Sequence, residues 1–222
     1  MKILLTGFEP FNNSPINPSE ELIKAFTGQN YQTAVVKTCL LPVDAHLAPE
    51  TLIASIQKFS PDIVICLGQA GGRKVISVER IAINLLDFRI PDNQGIRLNA
   101  TKIIDNGADG YFSTLPVEKL QTVLIENNVP CEISYSAGTF LCNQVFYVLM
   151  HQIRQNHLPV IGGFIHFPYL PEQVSPAEEN LPTLSLETDL KALKIIFDIL
   201  IEDDKNPHSA PDSGKSLEYP VR

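Results

Sequence analysis

A cysteine in the first turn of one predicted helix could act as a nucleophile. Residues 136–150 begin with small, turn-forming residues and continue as an apolar segment with helical spacing, and Cys142 lies just inside the expected helix start. A helix N-terminus offers unpaired backbone N–H groups and the positive end of the helix dipole, and both favour a thiolate. Cys142 could therefore carry out covalent catalysis.

The same cysteine could instead be a small packing residue. It shares one helical stripe with Phe146, Leu149 and Ile153, and such a stripe is typical of a helix face that packs on the core. This segment alone favours packing over catalysis. A catalytic interpretation requires a base, a group that orients the base, and a pocket from the rest of the chain.

A candidate base lies at the end of a later strand. Residues 159–167 show an apolar strand pattern that Pro168 ends, and His166 stands near the C-terminal end of that strand. A histidine in this place could also be a satisfied core or edge residue. As the partner of a catalytic thiol, His166 would keep the sulfur ionised, which predicts a thiolate pKa several units below the ordinary ~8.5.

A carboxylate that could orient the histidine lies in the extended segment 75–88. Strand alternation places Glu79 on the same face as Ile81 and Ile83, where a carboxylate is costly unless a cation meets it. Glu79 could instead be solvated at a strand end or paired with a nearby arginine. Together with His166 it would complete a triad, since all three groups lie near strand C-terminal ends or a helix start.

Alternating extended and helical patterns predict an α/β fold, with helices on both faces of a mostly parallel sheet. The predicted strands are residues 2–6, 32–41, 62–67, 131–135 and 159–167, and the predicted helices are residues 18–27, 44–59, 116–127, 184–201 and the segment that contains Cys142. Residues 1–202 are predicted to form one catalytic domain. Residues 203–222, with three prolines and three serines, are predicted to form a flexible tail.

Composition excludes several classes of partner. The chain has 222 residues, 44% of them hydrophobic and 19% charged, and a net charge of −8, which is ordinary for a soluble globular protein. Because Lys and Arg are not clustered, neither nucleic acid nor an anionic membrane is an expected partner. No segment approaches the ~20 apolar residues of a membrane span, and the N-terminal apolar run is too short for a signal peptide, so we expect a cytoplasmic location.

The four cysteines predict free thiols rather than a disulfide framework. None forms a C-x-x-C pair, and Cys39, Cys66 and Cys131 lie in strand-like runs. The chain has no H-E-x-x-H motif and no clustered His and Cys spacing, so no metal site is expected.

Two loops could line a site, and each has a structural alternative. Phe8 and Phe11 lie in a turn-rich loop after the first strand, where they could line an apolar pocket or pin the loop to the core. Residues 68–73, GQAGGR, match neither a dinucleotide-binding nor a Walker motif. They could form a tight turn at the ligand-binding edge of the sheet, or cradle a phosphate in a non-enzymatic binding module.

Six motifs occur in the order in which one peptidase family has them. They are TGFEPF at 6–11, GQAGGR at 68–73, ERIAIN at 79–84, RIPDNQG at 89–95, SAGTFLCN at 136–143 and GFIHFPY at 163–169. With these motifs the chain resembles the pyroglutamyl-peptidase type I (pyrrolidone-carboxylate peptidase) family of cysteine peptidases across residues 1–201. The resemblance implies a single three-layer α/β/α domain with a twisted sheet, and a cytosolic enzyme that removes N-terminal pyroglutamate from peptides.

The resemblance also implies a catalytic triad and an assembly. Cys142, His166 and Glu79 match the nucleophile, the base and the third member of the family's triad. The family implies a homo-oligomer, commonly a tetramer, and no metal or organic cofactor. Two other functions stay open: a cysteine amidase that acts on another small amide, and a non-enzymatic module that binds a small ligand.

The substrate-binding roles come from the resemblance alone. Phe8 and Phe11 match the phenylalanines that form the family's apolar pocket for the lactam ring, and Gln69 matches a glutamine beside that pocket. Arg89 matches the family's oxyanion arginine, which would act together with the backbone N–H of Cys142.

Overall fold

A seven-stranded mixed sheet forms the centre of the computed structural model, which describes residues 1–175 and 180–205. The strands are β1 (Lys2–Phe8), β2 (Asn30–Tyr31), β3 (Ala34–Leu41), β4 (Ile63–Gln69), β5 (Ile76–Glu79), β6 (Ile81–Ile83), β7 (Gly110–Phe112), β8 (Cys131–Ser134) and β9 (Ile161–Phe167). The helices are α1 (Pro18–Phe26), α2 (Leu47–Phe59), α3 (Val117–Glu126), α4 (Leu141–Gln155) and α5 (Leu186–Lys205), and a short 3-10 helix covers Pro171–Gln173.

The main sheet has the strand order β2-β3-β1-β4-β9-β5-β8. Strands β3, β1, β4 and β9 are parallel neighbours, which confirms the predicted mostly parallel sheet. At the far side β5 runs antiparallel to β9, and β8 is parallel to β5. The short β2 pairs antiparallel with β3 at the opposite edge.

Alternate residues of the strands bury into two separate cores, one on each face of the sheet. Ile63 and Ile65 belong to the core formed with α1, α3 and α5, whereas Val64 and Cys66 belong to the core formed with α2 and α4. Because both faces of the central strands are covered, these strands are apolar without interruption. The predicted three-layer arrangement is therefore confirmed.

The predicted extended segment 75–88 is broken at Arg80. Strand β5 belongs to the main sheet, whereas β6 pairs with β7 in a separate two-stranded sheet. The backbone N–H of Arg80 donates to Ser134, and its carbonyl accepts from Ser113, so the chain changes partners at this residue. The prediction that Glu79 shares a strand face with Ile81 was therefore wrong.

The last helix continues past its predicted end. Helix α5 reaches Lys205 and so includes the first residues that were assigned to the tail. Asp203 forms an ion pair with Lys119 of α3 at 2.5 Å, which holds the end of α5 against the domain. Residues 206–222, which make up most of the predicted tail, lie outside the described residues, and the division at residue 202 stays a prediction.

A carboxylate is buried in the first turn of α5. Asp189 is fully buried, and neither of its carboxylate oxygens has a hydrogen-bond partner among the described residues. Burial raises the pKa of this carboxyl from its ordinary value of 3.8 to about 7. The folded state favours the protonated form of Asp189. The contribution of this carboxyl to the free energy of unfolding is therefore fully present below about pH 4 and is lost as the pH rises towards 7.

We therefore expect Asp189→Leu to stabilise the protein more at pH 8 than at pH 5. Leucine removes the cost of burying an ionisable carboxyl, and that cost is larger at pH 8, where the carboxyl of the unfolded chain and of the folded protein both tend to ionise. Thermal unfolding at both pH values measures this difference, and each ~1 kcal/mol should change Tm by about 2–4 °C. Glu187→Leu, at an exposed position of the same helix, is the matched control and should shift Tm equally at both pH values. An equal shift for Asp189→Leu would contradict the expectation.

Candidate active site

Cys142 lies in the first turn of α4, beside the ends of β4 and β9. A Cβ atom on Gly68 would stand 2.8 Å from Cys142 Sγ and 2.7 Å from the ring of Phe164, so the sulfur occupies space that any other residue at position 68 would fill. Gly68 is the register partner of His166 across β4 and β9. The missing side chain therefore lets the sulfur lie next to the histidine strand.

The rest of α4 anchors this first turn. Phe146, Leu149 and Ile153 are buried in the core between α4 and the sheet, as their helical stripe predicts. Asn143 is also buried; it accepts from the backbone N–H of Ile83 and donates to two carbonyls of the same segment. Cys142 shares the packed stripe and is half-buried, and its side chain lines a cleft.

His166 forms a short hydrogen bond with Glu79. The distance from His166 Nδ1 to Glu79 Oε1 is 2.7 Å, and both side chains are buried. Ser77 of β5 lies opposite His166 of β9, and Glu79 follows two residues later on the same face. Glu79 ends β5, His166 is the second-last residue of β9 and Cys142 lies in the first turn of α4, so the three groups lie near strand ends or a helix start, as we expected. Because β5 is antiparallel to β9, Glu79 reaches the histidine diagonally from within the sheet.

A third group, Arg73, binds the same carboxylate oxygen. Its Nη1 lies 2.6 Å from Glu79 Oε1, and its Nη2 donates to the carbonyl of Ser136 at 2.9 Å. Sequence reasoning did not assign Arg73 to the site. The signal was present, however, because a carboxylate on an apolar strand face requires a cation, and an arginine ends the GQAGGR loop before β5.

The surroundings set the charges of this group. Burial acts to raise the pKa of Glu79, but the hydrogen bond from His166 and the charge of Arg73 outweigh it and lower that pKa. Burial also lowers the pKa of His166, against the opposing effect of Glu79. The described site therefore holds an ionised carboxylate and a neutral imidazole whose Nδ1–H donates to it. This leaves His166 Nε2 as the nitrogen that can accept a proton.

The thiol does not have the depressed pKa that we expected. Burial raises the pKa of Cys142 to about 12, and the Glu79 charge acts in the same direction, against smaller opposing effects from Arg73 and the helix backbone. Within the described residues, no hydrogen bond joins Cys142 Sγ to His166. The pair is therefore a neutral thiol and a neutral imidazole.

The cleft above the thiol carries polar groups on its walls. Arg73, Arg89 and Gln69 line it together with Cys142 and His166. Arg89 is exposed and makes no hydrogen bond or ion pair within the described part of the chain. Its guanidinium is therefore available to a ligand in the cleft.

An apolar cavity opens beside the same sulfur. It is lined by Phe8, Phe11, Phe140, Gln69 and Cys142, among others. Phe8 is buried and Phe11 is half-buried, with the Phe11 and Phe140 ring centroids 6.1 Å apart. Phe140 was not predicted to line a pocket, because it lies just before the helix, as its N-cap residue, and so outside the helical stripe.

Hydrogen bonds fix the loop that carries Phe11 and begins after Phe8, the last residue of β1. Glu9 Oε1 accepts from the backbone N–H of Val43 and from Asn93 Nδ2, and Asn93 also donates to the carbonyl of Pro10. On the other side, Asn17 caps α1 and donates to the carbonyl of Glu9. The TGFEPF loop and the RIPDNQG loop therefore hold each other beside the cavity.

Residues 1–175 and 180–205 contain no helix that is long and apolar enough to cross a membrane. The same residues contain no group of three or more His, Cys, Asp or Glu side chains that could hold a metal ion.

Comparisons with known proteins agree with the motifs. The pyroglutamyl peptidase family matches residues 1–203. Pyrrolidone-carboxylate peptidase of Bacillus subtilis (strain 168) is 44% identical over 194 residues, which cover 87% of this chain and 89% of the relative. The corresponding protein of Coprothermobacter proteolyticus is 40% identical over 201 residues, or 90% of this chain and 97% of the relative.

Solved structures of the same kind share the fold. Pyroglutamyl peptidase I of Bacillus amyloliquefaciens is 42% identical with a TM-score of 0.84, covering 88% of this chain and 94% of that chain. A mutant pyrrolidone carboxyl peptidase of the hyperthermophile Pyrococcus furiosus is 40% identical with a TM-score of 0.88, covering 91% of this chain and 99% of that chain. The chain therefore belongs to the pyroglutamyl peptidase family.

Proposed function

We propose that the protein removes an N-terminal pyroglutamyl residue from peptides, with Cys142 as nucleophile, His166 as base and Glu79 as the group that orients the base. The observation that carries the proposal is the buried His166–Glu79 pair beside a thiol that opens into both a polar cleft and an apolar cavity. The names of the relatives support the substrate, because they are pyrrolidone-carboxylate and pyroglutamyl peptidases.

The first half of the reaction forms a thioester. Cys142 Sγ attacks the pyroglutamyl carbonyl carbon as its proton moves to His166 Nε2. The carbonyl oxygen takes the negative charge, and the backbone N–H of Cys142 and the side chain of Arg89 stabilise it. When the tetrahedral intermediate collapses, the C–N bond breaks and His166 gives its proton to the departing amine.

The second half releases pyroglutamate. His166 accepts a proton from water, and the resulting oxygen nucleophile attacks the thioester carbon. The C–S bond then breaks, and the proton on His166 returns to Cys142 Sγ, which restores the neutral thiol–imidazole pair. Glu79 stabilises the imidazolium that forms twice in each cycle, and Arg73 keeps Glu79 ionised.

The lining of the apolar cavity matches the chemistry of a lactam ring, but its volume of about 10 Å³ admits only about one water molecule, so a ring has to widen it. A pyroglutamyl residue has its amine closed into an amide and therefore carries no N-terminal charge. Phe8, Phe11 and Phe140 offer it an aromatic wall, whereas a free N-terminal ammonium would lose its hydration there without a counter-charge. Gln69 supplies a polar group at the same cavity.

A cytoplasmic location and a homotetrameric assembly remain part of this proposal. All four cysteines are free thiols, which supports a reducing compartment. The tetramer rests on the family resemblance.

Hydrolysis of a panel of chromogenic amides tests the reaction and the substrate together. We expect the protein to cleave the pyroglutamyl amide and not the prolyl, glutamyl or alanyl amides, and Cys142→Ala to lower kcat by about a thousandfold or more. Cys39→Ala, at a half-buried thiol outside the cleft, is the matched control. Retained turnover in Cys142→Ala would eliminate the thioester route, and cleavage of another amide instead would indicate a different cysteine amidase.

The pH dependence of kcat/KM tests the roles of His166 and Glu79. A protonated imidazole cannot accept the thiol proton, and burial lowers the pKa of His166 from its ordinary 6.5, so activity should persist at pH 6.5 and fall only below it. Glu79 acts to raise that pKa, so Glu79→Gln should move the acid limb to still lower pH and reduce kcat by about 10²-fold or more. An acid limb above 6.5, or one that Glu79→Gln leaves in place, would contradict the assigned roles.

Gly68→Ala tests whether the position of the sulfur limits the reaction. The added methyl group would stand 2.8 Å from Cys142 Sγ, so we expect kcat to fall by roughly 10–100-fold while the protein stays folded. Gly162→Ala places a methyl group 2.6 Å from Ile153 at the other end of β9; it should lower Tm and leave kcat close to that of the unaltered protein. Equal kcat values for the two variants would show that the space left by Gly68 beside Cys142 does not limit the reaction.

A further inference from the structure

Gln173, in the short 3-10 helix after β9, contacts the cavity glutamine. Its Nε2 donates to Gln69 Oε1 at 2.7 Å. We infer that Gln173 is a positioning residue that holds the Gln69 amide with its NH₂ group towards the ligand, so that the cavity offers a hydrogen-bond donor to the ring carbonyl of the substrate. The inference rests on the proposed function, because it assigns a direction of recognition within the proposed lactam site.

Two backbone groups fix the orientation of the Gln173 amide. The N–H of Leu170, which can only donate, lies 2.9 Å from Gln173 Oε1. The carbonyl of Ile16, which can only accept, lies 3.0 Å from Gln173 Nε2. Exchanging the oxygen and nitrogen of Gln173 would place donor against donor at one end and acceptor against acceptor at the other. The two constraints are independent, and both require the same orientation.

The orientation of the Gln69 amide follows from that of Gln173. The Gln69 atom that lies 2.7 Å from an NH₂ group has to be the carbonyl oxygen. Gln69 Nε2 then remains, and it has no hydrogen-bond partner among the described residues. Gln69 lines both the cleft and the apolar cavity beside Cys142, so its free N–H groups are the polar atoms that it can offer there.

This arrangement favours one kind of five-membered ring. The ring of a pyroglutamyl residue has a carbonyl where the ring of proline has a methylene group, and a carbonyl accepts the hydrogen bond that Gln69 Nε2 can donate. A site that is built to hydrogen-bond its substrate discriminates strongly against an analogue that lacks the partner atom. Because Gln173 sets the amide before the ligand arrives, no reorientation is needed on binding.

Substitution of Gln173 should therefore change binding more than turnover. In Gln173→Met the Gln69 amide is free to take either orientation, and we expect KM for a pyroglutamyl amide to rise about threefold to tenfold with kcat changed less than twofold. The inhibition constant of 2-pyrrolidone, which is the ring alone, should rise by a similar factor. Gln173→Glu presents an acceptor to Gln69 and should reverse its amide, so its effect on KM should be larger than that of Gln173→Met.

A double-mutant cycle separates positioning from a structural role. In the Gln69→Met background, Gln173→Met should change the 2-pyrrolidone inhibition constant less than twofold, because no amide remains to be oriented. Ser14→Ala is the matched control: it removes another partner of Gln173 Nε2 at 3.1 Å and leaves the bond to Gln69 intact, so KM should stay unchanged.

Three outcomes would overturn the inference. The first is an unchanged KM in both Gln173 variants. The second is that Gln173→Met raises the 2-pyrrolidone inhibition constant by the same factor with and without Gln69→Met. The third is that Ser14→Ala raises KM as much as Gln173→Met does. If Gln173→Met does not fold, Gln173→Glu, which keeps an acceptor for Leu170, decides the question. Failure of the proposed function itself is distinguishable, since the unaltered protein would then not cleave the pyroglutamyl amide at all.

Discussion

The site depends on one buried carboxylate oxygen that two donors share. Glu79 Oε1 accepts from His166 Nδ1 at 2.7 Å and from Arg73 Nη1 at 2.6 Å, and the Glu79 side chain is fully buried. An unpaired carboxylate in this place would be strongly destabilising, so each partner is needed to keep the other in position. Through Arg73 the same oxygen also holds the carbonyl of Ser136, in the loop that leads to α4. His166, the GQAGGR loop and the loop that leads to α4 are thus joined through a single atom.

Much of the fold could be predicted because its strands and helices show strong local periodicity. The core stripe of α4 and the buried run of β4 are examples, since burial on one or two faces is encoded directly in the spacing of apolar residues. The reversal of β5 could not be predicted in this way. Direction within a sheet depends on which strand pairs with which, and the break at Arg80 arises from two backbone hydrogen bonds to distant segments. Extended residues on either side of such a break have the same local pattern.

Cys142, His166 and Glu79 were chosen from their residue types and positions, and the order of the motifs then supported the choice. The structure places them in adjacent elements, and their catalytic roles stay a prediction. The pKa of the thiol was predicted in the wrong direction, because the effect of a helix N-terminus is visible in a sequence whereas the degree of burial is not. Gln173 was missed for a related reason. Its importance comes from what its amide contacts in its own turn and in two distant segments, and an isolated glutamine gives no local signal of that kind.

The position of β9 has a consequence for the order in which the protein can become active. This strand is late in the chain, yet it lies in the middle of the sheet between β4 and β5. During synthesis the cysteine helix is complete before β9 has emerged, so Cys142 exists for a time without its histidine. Pairing of β9 with β4 joins segments that are far apart in sequence, and such contacts form late because closing a long loop is entropically costly. Insertion of this strand therefore fills the centre of the sheet and brings His166 to Glu79 in the same step, so a partly folded chain has the thiol of Cys142 without the histidine.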